Sequence, residues 1–190
     1  MIDKIKFHRA AAIAVAKDLC DALSPLCEPD RLIVAGSLRR RKQMVGDVEI
    51  LYVPKTDTHP DGLFDSKAFD LTDLLIDKLL HYGLLKKRPN SAGYFTWGPK
   101  NKLAIHSASG IPVDLFATTE ACWWNSLVCR TGGKENNLLI TTTANRQGWS
   151  FEAYGSGFMK LDKSDHYQTK SERDVYDFIG LPYLDPSLRK

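Results

Sequence analysis

The chain has no hydrophobic run near the roughly 20 residues that a membrane-spanning helix needs, so no membrane partner is expected. Its first residues, Met1-Ile2-Asp3-Lys4-Ile5-Lys6, are not followed by the apolar core and small-residue cleavage site of a secretory signal; the expected location is intracellular, in the cytoplasm. Cysteine is scarce. The four present, Cys20, Cys27, Cys122 and Cys129, lack the short paired spacing of a zinc site and are expected to be buried free thiols. His59, His81, His106 and His166 show no metal-ligand spacing either. Charge of one sign is not in strong excess: the net charge of +3 permits a nucleic-acid partner without arguing for one. The 190 residues, 43% hydrophobic and 26% charged, suit one globular domain, or a compact domain plus a small appendage.

Read in order, the chain opens with helical spacing of Ile5, Ala12, Ala16, Leu19 and Leu23, predicting a helix over 3–24 that Ser24-Pro25 stops. Residues 54–66, rich in Asp, Thr and Pro, read as a loop. A second helix is predicted over 68–82, with Gly83 beyond its end. The run Lys86-Lys87-Arg88 reads as a solvated loop, with nucleic-acid phosphates as the functional alternative. Strands are predicted over 93–97, 103–106 and 111–117, divided by turns at Gly98-Pro99 and Ser109-Gly110. Helices follow over 120–130 and 134–146, then a hairpin over 149–161, a loop over 163–170 and a short helix opened by Ser171. Trp123, Trp124 and Trp149 read as core rather than as base-stacking platforms. The change of character after Ala117 divides the chain into 1–117 and 118–190.

One stretch organises the rest. Ile33-Val34-Ala35 is an apolar strand, Gly36-Ser37 breaks it, Arg39-Arg40-Arg41-Lys42 follows, and the stretch from Gly46-Asp47 to Val53 reads as a second strand. Gly36 admits close approach of backbone to a ligand, and Ser37 is expected to cap the next turn. A helix start beside arginines attracts anions. Arg40 is expected to matter most, because so short a helix cannot aim Arg39, Arg40 and Arg41 at one place. Side chains alternate along a strand, so Asp47 and Glu49 share a face. Asp114 stands alone in the apolar strand of Val113, Leu115 and Phe116. Three carboxylates on neighbouring strands repel one another unless a divalent cation holds them, and Mg²⁺ suits hard oxygen ligands. The plainer alternative for Asp47 and Glu49 is the solvated face of an edge strand.

The motifs Gly36-Ser37-Leu38-Arg39-Arg40, Gly46-Asp47-Val48-Glu49, Val113-Asp114-Leu115-Phe116 and Arg130-Thr131-Gly132 with Asn137, followed by the tail from Asp177 to Arg189, resemble the X family of DNA polymerases. The resemblance runs over 30–190 in the correct order, and the size resembles the minimal viral members, which have only palm and carboxyl-terminal subdomains. It implies an α+β fold: a nucleotidyltransferase palm with a mixed β-sheet and flanking helices over 1–117, and a small α+β nucleotide- and DNA-binding subdomain over 118–190. It also implies that Asp47, Glu49 and Asp114 bind two Mg²⁺ ions, with Mn²⁺ expected to substitute, and that Asp114 draws the proton from a primer 3′-hydroxyl. Ser37 and Arg40 would hold the β- and γ-phosphates, with Gly36 and Gly46 beside them. Thr131-Gly132 would form the turn next to the incoming sugar, and Asn137 would reach the minor-groove edge of the base.

The implied protein is a monomer taking dNTP and gapped or primer-template DNA, and acting as a template-directed DNA polymerase in short-gap repair. The alternative is a template-independent transferase acting on a nucleic-acid 3′ end, a protein or a small molecule. The sequence also departs from the family. Glu49 replaces the usual Asp; Cys129 and Arg130 replace two aromatics; Thr141 replaces an arginine that several members set against the template. These departures imply weak rejection of ribonucleotides and mismatches.

Overall fold

A computed structural model describes residues 5–61 and 65–190. The fold begins with β1 (Phe7–His8) and helix α1 (Arg9–Leu23). The helix starts later than its spacing predicts because His8 caps it, Nδ1 accepting from the Ala10 amide at 3.3 Å; residues 3 and 4 lie outside the described residues. Next come β2 (Cys27–Val34), the four-residue helix α2 (Gly36–Arg39), β3 (Met44–Val45) and β4 (Val48–Pro54). Strands β5 (Thr56–Asp61) and β6 (Asp65–Asp70) lead into α3 (Leu71–His81). Then follow β7 (Leu85–Lys87), β8 (Asn101–His106) and β9 (Pro112–Ala117). Beyond them lie α4 (Trp123–Thr131), α5 (Lys134–Arg146), β10 (Trp149–Phe151), β11 (Gly157–Lys160), β12 (His166–Gln168) and α6 (Glu172–Phe178).

The main sheet has five strands in the order β2-β4-β9-β8-β7. Only the central pair, β4 and β9, is parallel; β2–β4, β8–β9 and β7–β8 are antiparallel. The fold is therefore α+β with a mixed sheet and flanking helices. One face of β4 and β9, carrying Val48, Ile50, Tyr52, Val113 and Leu115, packs on Ala12, Ala16 and Leu19 of α1 and Ile76 of α3. The other face presents Leu51, Val53 and Phe116, and is covered by Trp123 and Leu127 of α4. A separate core holds α5, α6 and the β10-β11-β12 sheet around Ile140, Phe158, Val175 and Tyr176.

Several predicted elements differ. Residues 54–66 are not a plain loop: β5 and β6 pair from Thr56↔Asp70 to Asp61↔Asp65, so the second helix begins at Leu71; residues 62–64 lie outside the described residues. The aromatic stretch 93–97 makes only isolated bridges, Pro89↔Phe95 and Trp97↔Lys102, because an Asn90 side-chain turn gathers the amides of Ala92 and Tyr94. Lys86 and Lys87 belong to β7. Within 163–170, His166–Gln168 adds a third strand to the predicted hairpin. The cysteines are free, but only Cys27 is buried and the other three are partly exposed. Trp123 is buried, and Trp124 and Trp149 pack against core clusters. Among the described residues no helix is long and apolar enough to cross a membrane.

Candidate active site

The parallel pairing of β4 and β9 places Glu49 opposite Asp114. Both stand on the face that α4 covers, two residues before Leu51 and Phe116 of its core cluster. Asp47 directly precedes β4. The three carboxylates act on one another: burial, then the charges of Asp47 and Asp114, push the Glu49 carboxyl up to about 8. Burial likewise raises Asp114, and an Arg88 guanidinium in contact does not bring it back down. The neighbouring guanidiniums thus do not fully offset this much buried negative charge.

Glu49 leads directly to the arginine turn. A Cβ on Gly36 would fall 1.6 Å from Glu49 Oε2, and Gly36 has φ +58°; only glycine allows α2 to start against that carboxylate. Gly36→Ala is expected to cost about 1–2 kcal/mol from the left-handed backbone alone and to displace Glu49. Thermal melting should show the modest loss, and any transfer activity should fall well beyond what that loss explains. Unchanged activity would remove Glu49 from the site.

Ser37 does not cap α2. Ala35 holds the N-cap position without a side-chain bond, and Ser37 lies inside the helix with Oγ buried and no hydrogen-bond partner among the described residues. Arg40 Nη1 donates to the Thr131 carbonyl, a Cβ on Gly132 would lie 3.0 Å from it, and Arg40 Nε is also buried without a partner. Two unpartnered donors at one turn are costly unless an anion meets them. Arg39 is not idle: it turns the other way, donating to Thr131 Oγ1 at 2.5 Å and bidentately to Glu172 at 2.8 and 2.5 Å. Asn137 Nδ2 donates to Cys129 O at 2.8 Å while its Oδ1 is buried unpartnered. Thr141 folds onto its own helix, bonding Asn137 O at 2.9 Å. Gly46 is partly buried between β3 and Asp47, with nothing within 4 Å of a Cβ placed on it. The candidate residues thus form a line: Asp114, Glu49, Gly36, Arg40, Gly132.

Three contributors escaped the sequence reading. Arg88, in the lysine-rich run, pairs with Asp114. Arg130 stacks on Phe116 at 3.8 Å, donates to Tyr154 Oη at 3.1 Å and lends positive charge to Glu49 and Asp114. Arg189, fully buried, shares Glu172 with Arg39. The one local signal was an arginine where an aromatic was expected; the ion pairs join residues 26 and 133 positions apart.

Among the described residues no three Asp, Glu, His or Cys side chains are gathered as an ion cage, since Asp114 is turned to Arg88. The chemistry still fits a divalent cation: the donors are hard oxygens, and burial and mutual repulsion push the Glu49 carboxyl far above the carboxylate range.

Known proteins resemble this chain in sequence and in fold. Residues 126–190 match the family model of the DNA polymerase beta thumb. The chain is 25% identical over 186 residues to the DNA polymerase/3′-5′ exonuclease PolX of Bacillus subtilis, covering 97% of this chain and 29% of that protein. It is 27% identical over 176 residues to DNA polymerase lambda of Rattus norvegicus, covering 85% and 29%. It spans less than a third of the length of these curated relatives. Among solved structures, Leishmania infantum polymerase beta in a ternary P/T complex superposes with a TM-score of 0.73 at 19% identity, covering 98% of this chain and 77% of that one. The ternary gap complex of the same polymerase gives 0.73 at 18%, covering 97% and 71%. The fold is polymerase-beta-like. The chain thus resembles polymerases of the X family over nearly all of its length.

Proposed function

We propose that this chain is a DNA-directed DNA polymerase that adds nucleotides to a primer 3′-hydroxyl in short gaps and releases pyrophosphate. The observation that carries the reading is the register that sets Glu49 beside Asp114, with Gly36 packed against Glu49 and the arginine turn joined to Thr131. The chain divides functionally into a palm, 1–117, and a thumb-like subdomain, 118–190.

Two Mg²⁺ ions held by Asp47, Glu49 and Asp114 would neutralise the leaving pyrophosphate and lower the pKa of the attacking hydroxyl. Asp114 accepts the hydroxyl proton. Ser37 Oγ and the free Arg40 nitrogen donate to the β- and γ-phosphates, beside Gly46. The Thr131-Gly132 turn lies against the sugar. Asn137 meets the base edge once its amide leaves Cys129 O. The relatives named as polymerases and the DNA complexes of the structural neighbour support DNA and dNTP as partners.

The test is single-nucleotide incorporation on gapped DNA with Mg²⁺, each dNTP supplied separately, with and without the template strand. Template-matched incorporation is expected. Selection against rNTP and mismatched dNTP is expected to be weak, because each lost contact forfeits roughly ten- to a hundredfold, and neither Cys129 nor the helix-bound Thr141 supplies one. Incorporation indifferent to the template would make the chain a template-independent transferase instead, and none at all would overturn the reading.

A further inference from the structure

Arg88 holds Asp114 by a contact unlike the buried pairing at Glu172. The Arg88 amide donates to Leu103 O at 3.0 Å, and Leu103 is the β8 partner of Asp114. The side chain therefore crosses β8, two strand spacings or about 10 Å from backbone to backbone, to put Nη2 on Asp114 Oδ1. Its other nitrogens are poorly used. Nη1 reaches Pro89 O only at 3.4 Å, beyond the usual range, and Nε is buried with no partner among the described residues. The two side chains are 20% and 14% exposed.

Glu172 shows how this protein builds a permanent pair. Both of its oxygens receive Arg39, Oε1 also receives Arg189 at 2.8 Å, and Arg189 Nε rests on Leu184 O at 3.0 Å. Such forked, multiply bonded pairs are costly to open. A one-point contact that leaves a buried nitrogen idle is suited to exchange.

We propose that Arg88 is a latch on the carboxylate site: its guanidinium holds Asp114 until a divalent cation takes that oxygen, and the cation binds only by displacing it. This rests on reading Asp47, Glu49 and Asp114 as metal ligands. The latch steadies Asp114 without metal and raises the cation concentration needed to load the site.

The experiment is an EPR titration of Mn²⁺ into the full chain, without DNA or nucleotide, at moderate salt. Arg88→Met is expected to tighten Mn²⁺ binding by roughly tenfold, the loss of one charge-assisted competitor. Lys87→Met removes the same charge one residue away, from an ammonium 4.7 Å over the Trp97 ring, and is expected to change binding less than about twofold. Equal gains from both variants, or no gain from Arg88→Met, would overturn the latch. Asp114→Asn is the check on the underlying reading. If it leaves Mn²⁺ binding unchanged, Asp114 is no ligand; if it weakens binding while Arg88→Met does nothing, only the latch fails. Should Arg88→Met not fold, NMR of arginine-labelled wild type gives a second readout. Mg²⁺ should speed rotation of the Arg88 guanidinium and leave Arg39 and Arg189 slow; an Arg88 that stays slow at saturating Mg²⁺ refutes the proposal.

Discussion

Asp114→Asn is expected to abolish nucleotidyl transfer, lowering single-turnover incorporation by about a thousandfold or more. Loss of a metal-binding carboxylate forfeits several kcal/mol, and each 1.36 kcal/mol is about tenfold in rate. Asparagine has nearly the same shape and keeps an oxygen for Arg88, so the variant should melt close to the wild type. It removes the negative charge and, in the proposed reaction, the group that would take the hydroxyl proton. It also removes one of the two carboxylates that raise Glu49 after burial itself, so Glu49 should ionise more readily. Rapid-quench incorporation beside a circular-dichroism melt separates chemistry from folding. Turnover within tenfold of wild type would mean that Asp114 is not the group on which the reaction depends.

Glu172→Gln is expected to destabilise the protein by about 3–5 kcal/mol, the cost of removing one partner from a buried charge network. Arg189 is fully buried and would lose its carboxylate, while Arg39 would lose the anchor joining α2 to α6. Urea unfolding should show the loss, and Glu135→Gln, an exposed control, should stay within about 0.5 kcal/mol. Acidity gives a second check. Burial pushes Glu172 up, but hydrogen bonds and charge from Arg39 and Arg189 outweigh it and hold the carboxyl below its ordinary 4.5. A lowered folded value means that the contribution is complete above pH 4.5 and is lost as pH falls through that lower value. Wild type and Glu172→Gln should therefore converge in stability in strong acid. A gap that persists there would mean that the glutamate acts through packing rather than charge.

The central strands and carboxylates were readable because their pattern is local: β-branched runs, period-two alternation and a glycine turn. Helices α5 and α6 were readable for the same reason, with Ser171 accepting from the Asp174 amide at 3.0 Å as a cap should. The β5–β6 ladder was not readable, because Asp, Thr and Pro give no apolar alternation. Strand β12 is three residues long, too short to show a period. Ser37 followed a sound capping rule, but the helix begins two residues earlier than the rule assumed, with Ala35 at the cap. The ion pairs were hidden for a different reason. Arg88 sits in a run that looks solvated, and only the stacking of β7, β8 and β9 brings it to Asp114. Arg39 seemed a lesser phosphate ligand until the fold set Glu172 against it.

The short, lysine-bearing strand β7 has a consequence for the protein at high concentration. An open sheet offers unpaired amides and carbonyls along both margins, where another copy can dock as an extra strand. Here one margin, β7, is three residues long and carries Lys86 and Lys87. The other, β2, is interrupted between Cys27 and Leu32 by a register shift, and within that gap Pro29 donates no hydrogen bond and Asp30 adopts φ +59°. Copies crowded together thus repel at one margin and find no straight template at the other, which guards the five-stranded sheet against strand-by-strand aggregation.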